Sequence, residues 1–527
     1  MHSEKQMGTI LKGAVILSLS SLVAKILSAL YRIPFENLVG NLGFYVYQQV
    51  YPIYGIGMTF ALSGFPVFIS KLVIEAKSQD AQRGLAQQAM IVLSGFALLI
   101  FAGLQWQAGP LAGMMGDPGL AVLIKSVSWM FLFMPFLAVG RGYYQGRMNM
   151  IPTAVSQISE QVVRVAMIVG VAIIAVRLHW PVYKMGAWAM FGATCGAVAA
   201  LLSFSAFLFG LLKKDSLDQS PYTFGRLAQR LFTEGLVMCL FASVMVIFQL
   251  VDSFTVKKVL VDSGMPQMAA KALKGTYDRA QPLVQVGTVA ALGFSTTLMP
   301  ALSRAISHKN QEGFRKIAAL LMKISLTVSI AAALGLAALM PAINTLLFKD
   351  SALSAVISVY CLSIIFVTVI TNYNSILQSL NCIWLSVWGL AGGLVVKAIT
   401  NVILIRHLGI MGASLATLLG LIATQVIIVA FLPAKLKGLL NDGTFWKKLS
   451  SACLALLIFA GLVMVLGRHL TAVSRMGAAL VTLIGVAAGA GAFLGMVFAS
   501  RLFTDEEWAS IPGGGKMLAV WNKIRRN

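Results

Sequence analysis

Two permanent cations lie inside the first apolar segment of this 527-residue chain, in the stretch AKILSALYRIPFE at positions 24–36. Lys25 and Arg32 are seven residues apart, so on an α-helix they fall within about 20° of each other. Ser21 and Ser28 share that face, within about 60° of Lys25. A cation in hydrocarbon costs roughly 2.5–3.5 kcal/mol on insertion scales. This polar stripe must therefore face protein, water or a ligand, and cations in that setting bind anions.

The composition places this segment in a membrane. The chain is 58% hydrophobic and only 11% charged, with a mean hydropathy of +0.84, whereas soluble domains average about 25% charged residues. Apolar runs of roughly 20 residues, long enough to cross a bilayer as a helix, recur from end to end. We predict an all-α polytopic membrane protein with no cleaved leader.

The apolar runs predict about fourteen membrane-spanning helices. Their predicted positions are 11–33, 44–70, 87–106, 119–140, 151–176, 185–212, 227–251, 282–303, 317–347, 352–378, 384–405, 411–432, 449–467 and 476–500. With both termini in the cytoplasm, the inner segments carry about twice as many lysines and arginines as the outer ones, as the positive-inside rule requires. The net charge of +23 thus follows from topology and predicts no nucleic-acid partner.

The helices form two similar halves followed by a C-terminal pair. ALSGFPVFISKL at 61–72 and ALGFSTTLMPALSR at 291–304 each join small residues, a proline and a terminal cation. Six helices separate the two patterns, which predicts a parallel pseudo-two-fold repeat of two six-helix lobes. The predicted domains are an N-lobe at 1–226, a C-lobe at 227–440, helices 13 and 14 at 441–502, and an amphipathic cytoplasmic tail at 503–527.

Cations outnumber acids within or near the predicted spans. The cations are Lys25, Arg32, Lys125, Arg164, Arg279 and Lys397, and the acids are Glu160, Glu234 and Asp252, with Glu36 at the edge. Glu160 and Arg164 are spaced for an ion pair within one helix. Asp252 is a candidate partner for Lys397, which lies one turn before Asn401. The excess of positive charge predicts an anionic ligand in a water-filled cavity.

Other site chemistries find no support in the sequence. The five cysteines are isolated, no zinc-binding spacing occurs, and GGGK at 513–516 lacks the pattern of a phosphate-binding loop. We therefore expect no metal, no cofactor and no enzymatic activity.

Two segments carry a family resemblance. YDRAQPLVQVGTVAALGFSTTLMPALSR at 277–304 resembles the eighth helix of MurJ-type lipid II flippases and, more closely, of their SpoVB/YtgP-like relatives. SLVAKILSALYRIPFENLVGNLGFYVYQQVYPIYGI near the N-terminus is similar to the first two helices of the same branch. These proteins belong to the multidrug/oligosaccharidyl-lipid/polysaccharide (MOP) exporter superfamily.

The resemblance implies a lipid II flippase of the bacterial cell membrane. It moves the undecaprenyl-diphosphate headgroup outward by alternating access, and helices 13 and 14 hold the lipid tail. Its partners would be lipid II or a related glycolipid, membrane phospholipid and the cell-wall synthesis machinery. By this resemblance Lys25, Arg32 and Arg279 would bind the diphosphate. The candidates for the cavity lining are Ser21, Ser28, Lys125, Glu160, Arg164, Gln281 and Gln285, and those for ion coupling are Asp252, Lys397 and Asn401.

The sequence departs from the lipid II flippases at two points. The arginine that they carry in the second helix has no counterpart, because the chain reads YPIYGIGMTF there. Lys397 occurs where the members with a sodium site have a neutral or acidic ligand, which suggests that its ammonium group replaces the sodium ion.

Three other functions remain open at this point. A flippase for another polyprenyl-diphosphate oligosaccharide would share the diphosphate site. A drug/cation antiporter of the same superfamily would need an acidic cavity, and a polytopic glycosyltransferase would need paired carboxylates on an outer loop. Neither of these last two features is evident in the sequence.

Overall fold

The computed structural model is helical along most of the chain. It describes residues 16–17, 19–213, 216–307, 310–380, 382–433, 436–440 and 442–510, and these contain no β-strand. Most of the predicted amphipathic tail, 511–527, lies outside the described residues, as does the start of the first predicted span. The all-α class is confirmed.

The described helices are those of a multi-pass membrane protein. Eleven are long and apolar enough to span a bilayer, or twelve if Phe224–Ala242 and Val244–Asp262, which meet at 73°, form one bent span. The predicted count of fourteen is therefore not confirmed. One of the eleven, Leu19–Glu75, has 57 residues. At 1.5 Å per residue it would be about 85 Å long if straight, more than twice the bilayer core. It includes residues 19–33 of the first predicted span and the whole of the second.

The chain divides into two compact units, Met1–Asp278 and Arg279–Asn527. The helices of unit 1 are α1 at 19–30, α2 Arg32–Thr59, α3 Phe65–Glu75, α4 Gln79–Met114, α5 Ala121–Ser128, α6 Met134–Gly146, α7 Ile151–Arg177, α8 Val182–Leu202, α9 Ser205–Lys213, α10 Phe224–Arg230, α11 Leu236–Ala242, α12 Val244–Asp262 and α13 Gln267–Tyr277. Those of unit 2 are α14 Ala280–Ser307, α15 Gln311–Phe348, α16 Ser354–Cys361, α17 Ser363–Ser379, α18 Ile383–Leu408, α19 Ile410–Ala430, α20 Gly443–Leu466, α21 Arg468–Val473, α22 Arg475–Ala499 and α23 Asp505–Ser510.

The boundary between the two units lies at 278/279, and the lobe boundary at 226/227 stays a prediction. Helix α12 packs along α2, where Gln49 Nε2 donates a hydrogen bond to the carbonyl oxygen of Ser253. As a result, α12 and α13 belong to unit 1. The repeat relation between the lobes and the role of 441–502 as a tail groove stay predictions.

Two breaks shape the long N-terminal segment. Gly40 has φ 69° and ψ 178°, a conformation available almost only to glycine, and it bends α2. A π-helical turn at Phe60–Gly64 separates α2 from α3. A π-turn shifts the hydrogen-bond pattern of the helix, and such turns are frequent at functional sites. The part of α2 between these breaks carries a buried aromatic face that forms much of the core of unit 1.

In unit 2 the C-terminal pair α20 and α22 packs on α15. Asp442 caps α20 by accepting hydrogen bonds from the N–H groups of Thr444 and Phe445, each 3.1 Å. The hydrogen bonds from Phe445 and Thr444 lower the pKa of Asp442 to about 2. Lys323 Nζ of α15 lies 3.2 Å from Asp442 Oδ2, so an ion pair ties α15 to the start of α20.

Candidate anion-binding site

Arg32 opens α2 and is buried at 1% exposure. Its guanidinium carbon lies 4.1 Å from the centre of the Tyr51 ring, further along α2. Among the atoms that the structure describes, its Nε has no hydrogen-bond partner. The negative face of the ring stabilises the cation by about 0.5–2 kcal/mol but leaves its charge in place.

Arg164 of α7 reaches the same group of aromatic rings and is also 1% exposed. Its guanidinium carbon lies 4.6 Å from the centre of the Tyr54 ring and 5.1 Å from that of Tyr31. Nη2 donates hydrogen bonds to Ser28 Oγ at 3.0 Å and to Gln161 Oε1 at 2.6 Å. Nε and Nη1 have no partner within the described part of the chain.

Four tyrosines join the two arginines into one buried group. The hydroxyls of Tyr31 and Tyr47 are 2.9 Å apart, the Tyr47 and Tyr51 ring centres 6.3 Å, and the Tyr51 and Tyr54 ring centres 5.4 Å. We call Arg32, Arg164, Tyr31, Tyr47, Tyr51 and Tyr54 the tyrosine–arginine cluster. Over the described residues, no carboxylate lies within ion-pair distance of either arginine. The cluster therefore holds two positive charges and three unused N–H-bearing nitrogens.

The two serines of the polar stripe on the first helix contact α7, whereas Lys25 is more exposed than either of them. Ser28 contacts Arg164, and Ser21 Oγ donates a hydrogen bond to Gln157 Oε1 at 2.8 Å, so the stripe faces α7. Lys25 lies between these serines on the helix but is exposed. It is thus outside the buried part of the cluster.

The expected Glu160–Arg164 ion pair is wrong. Glu160 Oε2 instead accepts a hydrogen bond from Arg141 Nη2 at 2.6 Å, with both side chains buried. Arg141 of α6 also donates to Ser156 Oγ at 3.0 Å and to the carbonyl oxygen of Ala61, in the π-turn, at 2.9 Å. Arg141 donates hydrogen bonds to three acceptors from this position, and one of them is Glu160. Because Glu160 pairs with Arg141, Arg164 contacts the tyrosines instead.

Arg279, the third predicted diphosphate ligand, begins unit 2 and has a carboxylate partner there. Its Nη1 and Nη2 donate to the two oxygens of Asp350 at 2.6 and 2.9 Å, and its guanidinium carbon lies 5.0 Å from the centre of the Phe348 ring. Burial raises the pKa of Asp350, but the hydrogen bonds from Arg279 and from the Ala352 N–H outweigh it and hold that pKa below its usual value. The pair is therefore ionised at neutral pH, and a bound phosphate would have to displace Asp350.

Replacing Asp350 by Asn should lower the stability of the protein by about 1 kcal/mol at pH 7, a small effect because Asp350 is half exposed. A carboxylate with a lowered pKa stabilises the fold above its unfolded pKa of about 3.9 and loses that contribution as the pH falls. The difference from the unmodified protein should therefore shrink below about pH 4. Thermal unfolding in detergent at neutral and at acidic pH measures the loss of stability and its pH dependence. Asp262→Asn, at an exposed aspartate, is the control. An undiminished difference at strongly acidic pH would contradict the ionised pair.

The remaining cavity candidates are Lys125 in unit 1 and two glutamines in unit 2. Lys125 is exposed on α5. In unit 2, Gln281 Nε2 donates to the Tyr360 hydroxyl at 2.9 Å, and Gln285 is partly buried on the next turn of α14. Of the predicted site residues, Arg32 and Arg164 thus belong to the cluster, and Ser28 contacts it through Arg164.

The ion-coupling candidates are all buried. In unit 1 the Tyr277 hydroxyl donates to Asp252 Oδ2 at 3.3 Å. In unit 2 Lys397 Nζ donates to Thr417 Oγ1 of α19 at 2.6 Å, and Asn401 lies one turn further along α18. The pairing of Asp252 with Lys397 stays a prediction.

The sequence analysis missed the tyrosines and Arg141. Tyr47, Tyr51 and Tyr54 are spaced four and three residues apart, so they share one face of α2, and that periodicity was available in the sequence. No comparable signal marks Arg141, because its partners come from the turn before α3 and from α7.

Comparison with known proteins gives a consistent family. Residues 10–306, more than half of the chain, match the family described as polysaccharide biosynthesis protein. An uncharacterised membrane protein of Bacillus subtilis, YabM, is 34% identical over 98% of this chain and 97% of its own length. The lipid II flippase MurJ of the same organism is 26% identical over 79% of this chain and 81% of its own, and its stage V sporulation protein B is 25% identical over 97% and 99%.

Solved structures share the fold. A MATE-family multidrug transporter in an inward-facing conformation gives a TM-score of 0.62 over 79% of this chain and 97% of its own, at 16% identity. A lipid II flippase MurJ in an inward closed conformation gives 0.61 over 93% and 100%, also at 16% identity. These neighbours are a transporter and a flippase, and the relative MurJ is also a flippase, in agreement with the prediction that the chain is not an enzyme. The protein therefore belongs to the polysaccharide biosynthesis protein family, and it shares the fold of a transporter of the MOP superfamily, as the resemblance of its first and eighth helices predicted.

Proposed function

We propose that this protein moves an anionic, lipid-linked saccharide across the bacterial cell membrane, with lipid II as the first candidate for the cargo. The observation that carries the proposal is the tyrosine–arginine cluster, in which Arg32 and Arg164 are buried and no described carboxylate lies within ion-pair distance of either guanidinium group. A protein that needed these arginines only for folding would gain by neutralising them, because each uncompensated cation costs several kcal/mol.

A diphosphate fits the unused hydrogen-bonding capacity of the cluster. It carries two to three negative charges on oxygens that accept planar, bidentate hydrogen bonds from guanidinium groups. Arg32 Nε and Arg164 Nε and Nη1 are the nitrogens left for such contacts. Arg164 would then supply a second arginine to the site, and the absence of an arginine from YPIYGIGMTF would matter less.

The relatives support a lipid-linked cargo, but only one of their names says which cargo it is. The name of MurJ identifies lipid II, whereas the names of YabM and stage V sporulation protein B give no cargo. Another polyprenyl-diphosphate saccharide would use the same diphosphate contacts and is the alternative cargo. A cation antiporter would need carboxylates facing its substrate, but Glu160 is occupied by Arg141 and the cluster is positive.

Rescue of a bacterium depleted of its own lipid II flippase tests the cargo. We expect this chain to restore growth, and we expect rescue to fail on Arg32→Met at an unchanged protein level. The matched control is Arg147→Met, because Arg147 also lies over a tyrosine, 5.4 Å from the ring centre of Tyr143, but is exposed.

Two results would change the proposal in different ways. No rescue by a well-expressed, membrane-inserted chain would exclude lipid II and leave the alternative saccharide. Full rescue by an Arg32→Met/Arg164→Met double variant would remove the cluster from the transport mechanism.

A further inference from the structure

A second group of buried charges lies in unit 1, at the end of the helices that the positive-inside rule places outside the cell. It is built from the loop after α4, the outer ends of α2 and α8, and the segment α12–α13. We call it the outer cluster, and it comprises Tyr45, Asp117, Tyr183, Asp252, Lys257, Lys271, Lys274, Tyr277 and Asp278. All of these are buried except Tyr183, which is partly exposed.

Asp117 is the centre of the outer cluster. Its carboxylate accepts hydrogen bonds from Lys271 Nζ at 2.8 Å, from the Tyr183 hydroxyl at 2.9 and 3.0 Å, and from the Tyr45 hydroxyl at 3.2 Å. Lys271 Nζ also donates to the Tyr183 hydroxyl at 2.7 Å. Burial lowers the pKa of Lys271, but the hydrogen bonds with Asp117 and Tyr183 raise it above its usual value, so the lysine carries its positive charge at neutral pH.

The other two lysines of the outer cluster also have partners there. Lys257 Nζ donates to the carbonyl oxygen of Gly116, and Lys274 Nζ pairs with Asp278 one turn further on. Gly275 lies so close to α2 that an added Cβ would collide with the carbonyl oxygen of Asn41. The backbone of α13 is thus in direct contact with the outer end of α2.

The outer cluster differs from the tyrosine–arginine cluster in its charge. Asp117, Asp252 and Asp278 match Lys257, Lys271 and Lys274, three acids against three bases. Among these residues there is no excess cation to attract an anion, so binding cargo does not explain why their charges are buried. Their contacts join α13 to the loop after α4 and to α8.

A contact made by ion pairs is suited to repeated opening. Separated ions recover their hydration when water enters, whereas apolar surfaces exposed to water recover nothing. The turn that joins α12 to α13 contains Gly264 at φ 97°, and Gly116 at φ 74° precedes Asp117. Both partners of the central ion pair therefore lie near sharp turns.

We propose that the outer cluster is a latch, and that the Lys271–Asp117 pair separates in each transport cycle to open the outer end of unit 1. The proposal rests on the transporter function but does not depend on which saccharide is carried. The latch is closed in this structure.

Thiol accessibility tests the latch without knowledge of the cargo. The substitution Ala270→Cys places a thiol at a fully buried position beside Lys271, and this thiol should react slowly with a membrane-impermeant maleimide added to intact cells. Adding Lys271→Met should increase the rate several-fold, and the exchange Asp117→Lys/Lys271→Asp should bring it back towards the original rate. Lys316→Met, at an exposed lysine paired with Glu312, is the control, and the chain without the introduced cysteine gives the background of the five native cysteines.

Crosslinking tests whether opening is required. Asp117→Cys/Lys271→Cys, joined by a reducible bifunctional thiol reagent of side-chain length, should lose transport and regain it on reduction. The matched control is Glu312→Cys/Lys316→Cys, two exposed positions one turn apart on α15, which should transport normally when crosslinked.

Two outcomes would overturn the latch. One is transport at the unmodified rate by fully crosslinked Asp117→Cys/Lys271→Cys protein. The other is a labelling rate at the introduced thiol that Lys271→Met leaves unchanged. Either outcome, obtained while the parent chain still rescues flippase-depleted cells, would remove the latch and leave the proposed cargo standing.

Discussion

Replacing Arg164 by Met is expected to abolish transport and to make the protein more stable. Methionine keeps most of the apolar contact with Tyr31 and Tyr54 but removes a buried cation that has no carboxylate partner among the described residues. Relief of an uncompensated charge in the membrane should stabilise the fold by about 1–3 kcal/mol, offset in part by the lost cation–π contacts and the lost hydrogen bonds to Ser28 and Gln161. A gain in stability with a loss of function is typical of a residue kept for binding.

The measurement pairs rescue of flippase-depleted cells with thermal unfolding in detergent. Arg164→Lys should keep part of the destabilising charge but lose the planar, bidentate hydrogen bonds that a phosphate accepts, so rescue should be poor. Arg147→Met, at the exposed Arg–Tyr contact, should change neither property. A marked loss of stability in Arg164→Met would assign Arg164 a structural role and would weaken the proposed site.

Replacing Arg141 by Met should have the opposite effect on stability. Arg141 and Glu160 form a buried ion pair at 2.6 Å, so removing the arginine leaves a buried carboxylate without its partner. Loss of one member of such a pair costs about 3–5 kcal/mol. The carbonyl oxygen of Ala61 in the π-turn also loses its donor. We expect a strongly reduced unfolding temperature and a low protein level.

The double variant Arg141→Met/Glu160→Met separates the ion pair from other contacts of Arg141. A buried ion pair replaced by apolar residues of similar size is often near neutral in stability. The double variant should therefore recover much of the loss, except for the part due to Ala61 and Ser156. A double variant as unstable as Arg141→Met alone would show that the carboxylate of Glu160 is not the source of the destabilisation.

The two variants compare two buried arginines, Arg164 on α7 and Arg141 of α6, which contacts α7. Arg141 has an acid to neutralise it, and Arg164 has aromatic rings and amide or hydroxyl oxygens. One cation therefore supports the fold and the other is available to a ligand. The opposite signs expected for their effects on stability follow from this difference alone.

Much of the architecture and part of the site follow from local sequence. Hydropathy over about 20 residues identifies a membrane helix wherever it occurs, so the multi-pass class required no knowledge of packing. The spacing of Ser21, Ser28 and Arg32 likewise places them on one face of a helix, because helical periodicity also depends on local sequence alone. The exact number of spans did not follow, because Leu19–Glu75 is a single bent helical segment and α10–α12 is broken at Ser243.

The pairing of charges was decided by the tertiary structure. Spacing favoured Glu160 with Arg164, since the two are four residues apart on one helix, but Arg141 of α6 reaches Glu160 across the helix interface. Which acid neutralises which cation depends on the helices that pack together, and an excess of positive charge in a sequence does not reveal where it lies. Here the sequence by itself determined that the predicted membrane-spanning segments carry more cations than acids. The packing of α2 against α7 determined that Arg32 and Arg164 are buried among tyrosines, with no carboxylate within ion-pair distance in the described part of the chain.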